Sequence, residues 1–168
     1  MGLFSTTEFN SLSELFVHQL KDLYDAEHRL TDAIPKMAEK ACHASLKNAF
    51  THHLQETEKQ IERLEMIFQN IGHEPERVKC AAMVGLIAEG GEVLDAEGDP
   101  DVLDAALIAA AQRVEHYEIS GYGTARAFAL RLGNRYAAEL LQESLDEESA
   151  ADEKLTMIAE RSVNPSAV

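Results

Sequence analysis

The sequence predicts an all-α fold: a four-helix bundle with one long crossover that contains a short fifth helix. Three observations predict it. Ala, Leu, Glu and Lys dominate while proline is scarce and β-branched residues are sparse, which favours helix almost everywhere. Four long segments repeat apolar residues at steps of three and four, the pattern of a helix with one buried face. The links between them run short, long, short, so the first and last pairs read as antiparallel hairpins joined by a chain long enough to cross the bundle.

Segment one runs from about Glu8 to Cys42, with Leu12, Leu15, Phe16, Leu20, Leu23, Glu27, Leu30, Ile34 and Met37 on one stripe. Pro35 should kink or divide it, because proline removes a backbone bond. Segment two spans about 46–71, with Ser45 as the expected cap and Gly72 as the stop. Its stripe is Leu46, Phe50, Leu54, Thr57, Ile61, Leu64, Phe68 and Ile71. Segment three opens at Asp99-Pro100, a cap followed by proline at the first helical position. It runs to about Leu132, with Leu107, Ile108, Ala111, Glu115, Glu118, Tyr122 and Ala125 inward. Gly133 should end it and Asn134 should cap segment four, whose stripe is Leu141, Leu145, Glu148, Leu155 and Ile158. Between Gly72 and Pro100, Cys80, Met83, Val84, Leu86, Ile87, Val93 and Leu94 mark the short helix, weakened by Gly85, Gly90 and Gly91. Val84, Leu86 and Ile87 need cover from the bundle or from a dimer partner. The 168 residues are expected to form a single domain over 1–168. A four-helix bundle with one long crossover is the ferritin-like arrangement.

Charge and composition narrow the function. Thirty acidic residues face fifteen basic ones, a formal net charge of −15. That argues against nucleic acid and against an anionic membrane surface, both of which select a basic face. Two cysteines, Cys42 and Cys80, are too few for a disulfide scaffold, fit a reducing compartment and read as small buried hydrophobes. The opening residues Met1 to Ser5 show no basic segment and no long apolar run, so no secretory signal is expected. The expected location is cytoplasmic.

The chemistry lies in carboxylates placed where a core should be. Glu27 sits between Leu23 and Leu30, and Glu115 and Glu118 between Ala111 and Tyr122. A buried carboxylate costs several kcal/mol unless it is paired or bound to metal, and several together repel one another. A pair of divalent ions removes both problems. Ferritin-like carboxylate proteins take one Glu from each of two helices and a Glu-x-x-His from each of the others. Here helix two carries the reverse order, His53-x-x-Glu56, still on one face. Helix four carries Glu147 and Glu148, which cannot both face the centre, and no histidine; Asp152 could substitute from the Glu148 face. The candidate metal ligands are therefore Glu27, His53, Glu56, Glu115, Glu118, Glu147 and Glu148. His116 reads as a supporting or surface group, and Tyr24 and Tyr122 as core or as donors to carboxylates. An offset of 91 residues places Glu27 on Glu118, Phe50 on Leu141, Leu54 on Leu145, Glu56 on Glu147 and Leu64 on Leu155, an internal repeat of two hairpins.

The strings Leu20-Lys-Asp-Leu-Tyr-Asp-Ala-Glu27, His53-Leu-Gln-Glu-Thr57, Cys80-Ala-Ala-Met83-Val-Gly-Leu86-Ile-Ala-Glu89, Val114-Glu-His-Tyr-Glu-Ile119 and Leu145-Asp-Glu-Glu148 resemble the YciE/YciF family of bacterial ferritin-like proteins. The resemblance covers about residues 5–165. It implies a ferritin-like bundle, a homodimer and a place in bacterial stress responses. The expected function is a dimetal carboxylate protein, binding two divalent ions of iron or manganese and oxidising ferrous iron or removing peroxide. Two alternatives stand beside it. One is a non-enzymatic interaction bundle whose inner carboxylates are neutralised by Arg113, Arg126 or His53. The other is iron storage in a closed cage.

Overall fold

In the computed structural model, which describes residues 8–167, five helices follow one another: α1 Leu12–Lys40, α2 Ala44–Asn70, α3 Ala81–Asp95, α4 Pro100–Arg131 and α5 Arg135–Ile158. A π-helical turn, Ala159–Val163, extends α5. Among the described residues there is no β-strand, and no helix is long and apolar enough to cross a membrane. The chain is the expected bundle: α1–α2 and α4–α5 are hairpins, and α3 lies within the crossover against α1 and α4. Met1 to Ser5, read above for a signal, fall outside the described residues.

The ends of the helices show how local chemistry sets their bounds. Ser11 Oγ accepts from the Glu14 amide at 3.1 Å and starts α1. Pro35 does not divide this helix, which runs on to Lys40. The proline lies near the C-terminal end with its ring exposed, so little structure beyond it depends on the lost bond. The expected cap at Ser45 gives way to His43, whose Nδ1 accepts from the Ser45 amide at 3.3 Å. The reason lies outside the segment. Buried Asp104 of α4 accepts the amides of Cys42 and His43 at 2.9 and 2.6 Å, fixing the link and letting α2 start at Ala44. Cys42, in that link, is exposed rather than buried, whereas Cys80 is buried as expected. Gly72 has a φ of +73° and Gly133 of +78°, the left-handed conformation glycine adopts at helix ends. Asp99 and Asn134 cap α4 and α5 as their spacing predicts.

The crossover is fastened by another buried acid. Asp25 of α1 accepts from Arg29, from Arg77 Nε at 2.9 Å and from the Cys80 amide at 2.8 Å. Burial works against its charge, but Arg29, the Cys80 amide and Arg77 outweigh burial and keep its pKa below the usual carboxylate value. Beyond this fastening, Met83 is fully buried, and Leu86, Ile87, Val93 and Leu94 pack on the core.

The apolar interior is split in two. One cluster contains Phe16, Leu20, Leu23, Leu64, Phe68, Tyr122 and Leu141. The other contains Leu30, Ile34, Leu46, Phe50, Leu107, Ala111 and Leu155. Along every bundle helix the stretch between these clusters is polar and buried: Glu27; His53, Thr57 and Gln60; Glu115 and Glu118; Ser144 and Glu148.

Asp25→Ala leaves the buried Cys80 amide without its acceptor and frees the start of α3. A buried donor left unsatisfied costs about 1–3 kcal/mol. Urea unfolding of this variant should show a loss of that order; a loss within the range of an ordinary surface substitution would mean that Asp25 does not fasten the crossover.

Candidate metal centre

The polar layer converges. His53, Glu115, Glu118 and Glu148 each place one ligand atom so that all four atoms lie within 4.8 Å of one another, and all four residues are buried. His53 Nε2 stands 3.5 Å from Glu115 Oε1 and 3.7 Å from Glu148 Oε2, and its Nδ1 stands 3.4 Å from Glu56 Oε2. Glu27 enters the same layer from α1 and is completely buried; the Tyr122 hydroxyl donates to its Oε1. Gln60 Nε2 donates to Glu148 Oε1 and, at 3.1 Å, to Glu147 Oε2.

Burial dominates the electrostatics. It pushes the Glu27 carboxyl up to about 8, with the Glu148 charge adding to the effect. Glu118 rises well above the carboxylate range through burial and then the charges of Glu27, Glu148 and Glu115. Glu115 rises too, chiefly by burial, with His53 opposing. For His53 burial disfavours the charged form, but Glu115 and Glu148 prevail and lift it to about 10. One imidazolium is too little charge for this set, so without a further cation the layer must retain protons.

Among the described residues, eight buried side-chain oxygens and nitrogens have no hydrogen-bond partner, and every one belongs to this layer. They are Glu27 Oε2, His53 Nε2, Thr57 Oγ1, Gln60 Oε1, Glu115 Oε2, both oxygens of Glu118, and Glu148 Oε2. An unsatisfied buried polar group costs about 1–3 kcal/mol. A divalent cation takes oxygen and imidazole donors and quenches like-charge repulsion in one step, so the residues present fit one. This cluster could hold a metal ion.

The other candidates stand around it. Glu56, half-buried, lines a cleft of about 110 Å³ with His52, Lys154 and Ala151. Its Oε1 is 3.2 Å from His52 Nε2, and the histidines hold its pKa down against burial. Glu147 points away from the centre and forms a two-pronged pair with Arg63 at 2.7 Å on each side. Asp152 accepts from Gln112 at 2.9 Å and lies 3.5 Å from the exposed His116. Tyr24 donates to Glu65 at 2.8 Å rather than to the cluster. Arg113 faces Glu89 at 3.9 Å, and Arg126 lines a surface groove with Glu139, so neither is paired with the cluster.

Gln60 is the residue that sequence reasoning missed, along with the polar role of Thr57. Leu54 and Ile61, assigned inward by apolarity, are half-buried, while His53 and Gln60 take the inner positions one residue earlier. The 91-residue offset was the available signal. It sets Thr57 against Glu148 and Gln60 against Ala151, so Glu-x-x-His becomes Thr-x-x-Gln in one hairpin and Glu-x-x-Ala in the other.

Residues 11–168 match the family described as "Domain of unknown function (DUF892)". The chain belongs to this family. It is 47% identical to protein YciF of Escherichia coli (strain K12) over 158 residues, 94% of this chain and 95% of that protein. The crystal structure of the E. coli stress protein YciF matches with a TM-score of 0.89 at 46% identity, over 93% of this chain and 99% of that one. The structure of YcfI from Rhodopseudomonas palustris matches equally, with a TM-score of 0.89 at 44% identity and the same coverage of each chain. A Xanthomonas campestris protein shares the fold at 20% identity, with a TM-score of 0.72 over 92% of this chain and 94% of that one.

Glu27 and His53 both bind a proton more tightly folded than unfolded. Stability from each is full below its unfolded pKa and is lost as pH rises through its folded value. The melting temperature of metal-free protein should therefore fall as pH rises from about 5, through 8 where Glu27 titrates, to 10 where His53 does. A melting temperature that climbs across this window would contradict the proton assignment.

Proposed function

We propose that this DUF892 chain is a dimetal carboxylate protein of bacterial stress defence, binding iron or manganese and acting on ferrous iron or peroxide. The observation that carries the proposal is the convergence of His53, Glu115, Glu118 and Glu148 within 4.8 Å, with their buried donor atoms unpartnered. The stress role is drawn from the description of the E. coli relative as a stress protein. A cytoplasmic homodimer is part of the same reading.

In this reading, His53, Glu115, Glu118 and Glu148 would hold one ion. Glu27, with Gln60 Oε1 and Thr57 Oγ1 as neutral oxygen donors, would help to hold a second. Glu56, Glu147 and their partners stand outside and support. Iron or manganese supplies one-electron exchange with an oxidant. The protein supplies the rest. Glu56 beside His53 Nδ1 favours the tautomer that leaves Nε2 free to face the carboxylates. Tyr122 and Gln60 fix the rotamers of Glu27 and Glu148 through direct hydrogen bonds. Arg63 draws Glu147 away so that only Glu148 adds charge inside. Protons held on Glu27, His53, Glu115 and Glu118 would leave as cations arrive, so affinity increases with pH.

The alternative is a bundle that binds other proteins and carries no working metal site. The two are separated by thermal melts of wild type and Glu118→Ala, each with and without Fe²⁺ or Mn²⁺. A metal at a hundredfold excess over its dissociation constant stabilises wild type by about 2.7 kcal/mol. Glu118→Ala removes a ligand and also removes two buried oxygens that have no hydrogen-bond partner. The variant should lose the metal-dependent rise while its metal-free form melts no lower than wild type. No metal-dependent rise in wild type, with a lower-melting variant, would leave the interaction reading in its place.

A further inference from the structure

The ligands His53 and Glu115 are reached from two sides of unlike chemistry. On the α2–α5 side lies a cleft in which His52, Glu56 and Lys154 stand among Phe50, Leu155 and alanines. On the other side a void of about 20 Å³ ends on the same His53 and Glu115, and Leu30, Ile34, Met37, Phe50, Ala111 and Val114 wall it. Leu30, Met37 and Val114 also line a larger cleft, about 140 Å³, that opens between α1, α3 and α4. Leu86, Ile87 and Leu94 of the crossover helix roof that cleft. Apart from Lys36 at the rim and His53 and Glu115 at the inner end, the side chains that line the two spaces are apolar.

The glycines of α3 bear on this independently. Glycine inside a helix costs about 1 kcal/mol relative to alanine. Close packing does not demand it at the cleft. A Cβ on Gly91 would meet nothing within 4 Å, and one on Gly90 would make ordinary contact with Ala110 at 3.9 Å. Side chains at these positions would occupy the cleft instead. Between Lys36 at the rim and His53 and Glu115 at the inner end, the walls give water no hydrogen-bond partners. A cation would lose its hydration there without compensation, and hydrogen peroxide would lose its hydrogen bonds.

We propose that the crossover helix roofs an apolar passage through which dioxygen reaches the His53–Glu115 face of the cluster, while cations enter past Glu56 and His52 on the α2–α5 side. The proposal rests on the metal-centre reading and names its oxidant as dioxygen rather than peroxide. The balance is simple: two ferrous ions give one electron each, and one dioxygen takes both with two protons and departs as hydrogen peroxide.

Xenon reads the passage without metal. Crystals of the full chain under xenon should show the gas in the α1–α3–α4 cleft and in the void beside His53; xenon in neither space overturns the proposal. Gly91→Leu, which favours helix, and Ala33→Leu on the facing wall should each plug the cleft. Loaded anaerobically with Fe²⁺, both variants should bind as much iron as wild type. Their oxidation at limiting dioxygen should slow by roughly tenfold, the effect of a barrier about 1.4 kcal/mol higher. Oxidation by added hydrogen peroxide should keep its wild-type rate. An unchanged dioxygen rate in both variants, or an equal slowing with peroxide, overturns the proposal. Failure of wild type to bind Fe²⁺ at all would sink the metal-centre reading and the oxidant's route with it. Normal iron binding with no xenon would sink the passage alone.

Discussion

The structure turns on one constraint: four carboxyl groups and an imidazole occupy a dry layer between two apolar cores. Hydrophobic burial closes the bundle above and below, and closing it removes the water that would otherwise screen Glu27, Glu115, Glu118 and Glu148. The surrounding polar groups answer that problem. Tyr122 and Gln60 donate into the layer, His53 adds positive charge, and Arg63 holds Glu147 outside it. The unpartnered oxygens that remain mark the part of the problem that side chains leave unsolved.

Much of this was legible in the residues. Glu27 stands on its stripe between Leu23 and Leu30, and Glu115 and Glu118 lie together between Ala111 and Tyr122, so their stripes point these acids inward. The α4 and α5 termini follow from Asp99-Pro100 and Gly133-Asn134, where the deciding contacts are local. What the sequence hid depends on partners distant in the chain. The start of α2 is set by Asp104, more than sixty residues on. The choice between Glu147 and Glu148 is shown by Arg63 on another helix. On α2 the apolar residues Leu54 and Ile61 flank the true inner face, so apolarity pointed one residue past His53 and Gln60. A stripe that is polar where it is most buried defeats hydrophobic periodicity, which is why the layer's neutral members were the hardest to see.

The two hairpins no longer match where their alignment would matter most for a symmetric centre. Glu27 and Glu118 keep their correspondence, but Thr57 faces Glu148 across the repeat, and Tyr24 stands where Glu115 does. The α4–α5 hairpin supplies most of the charge, and α2 supplies the imidazole and neutral oxygens. The donors are unevenly divided, with nitrogen at one end of the layer and oxygen alone at the other.

Asp25 and Asp104 bear on a matter that apolar burial leaves open. Apolar stripes are sticky but not directional, whereas a buried carboxylate must meet particular donors. Asp25 meets Arg77 and the Cys80 amide of the crossover, and Asp104 meets two amides of the α1–α2 link, each acid sitting on a different hairpin. Each acid therefore pins its own hairpin to a stretch of chain outside it, a fixed point of assembly that the greasy faces alone do not supply.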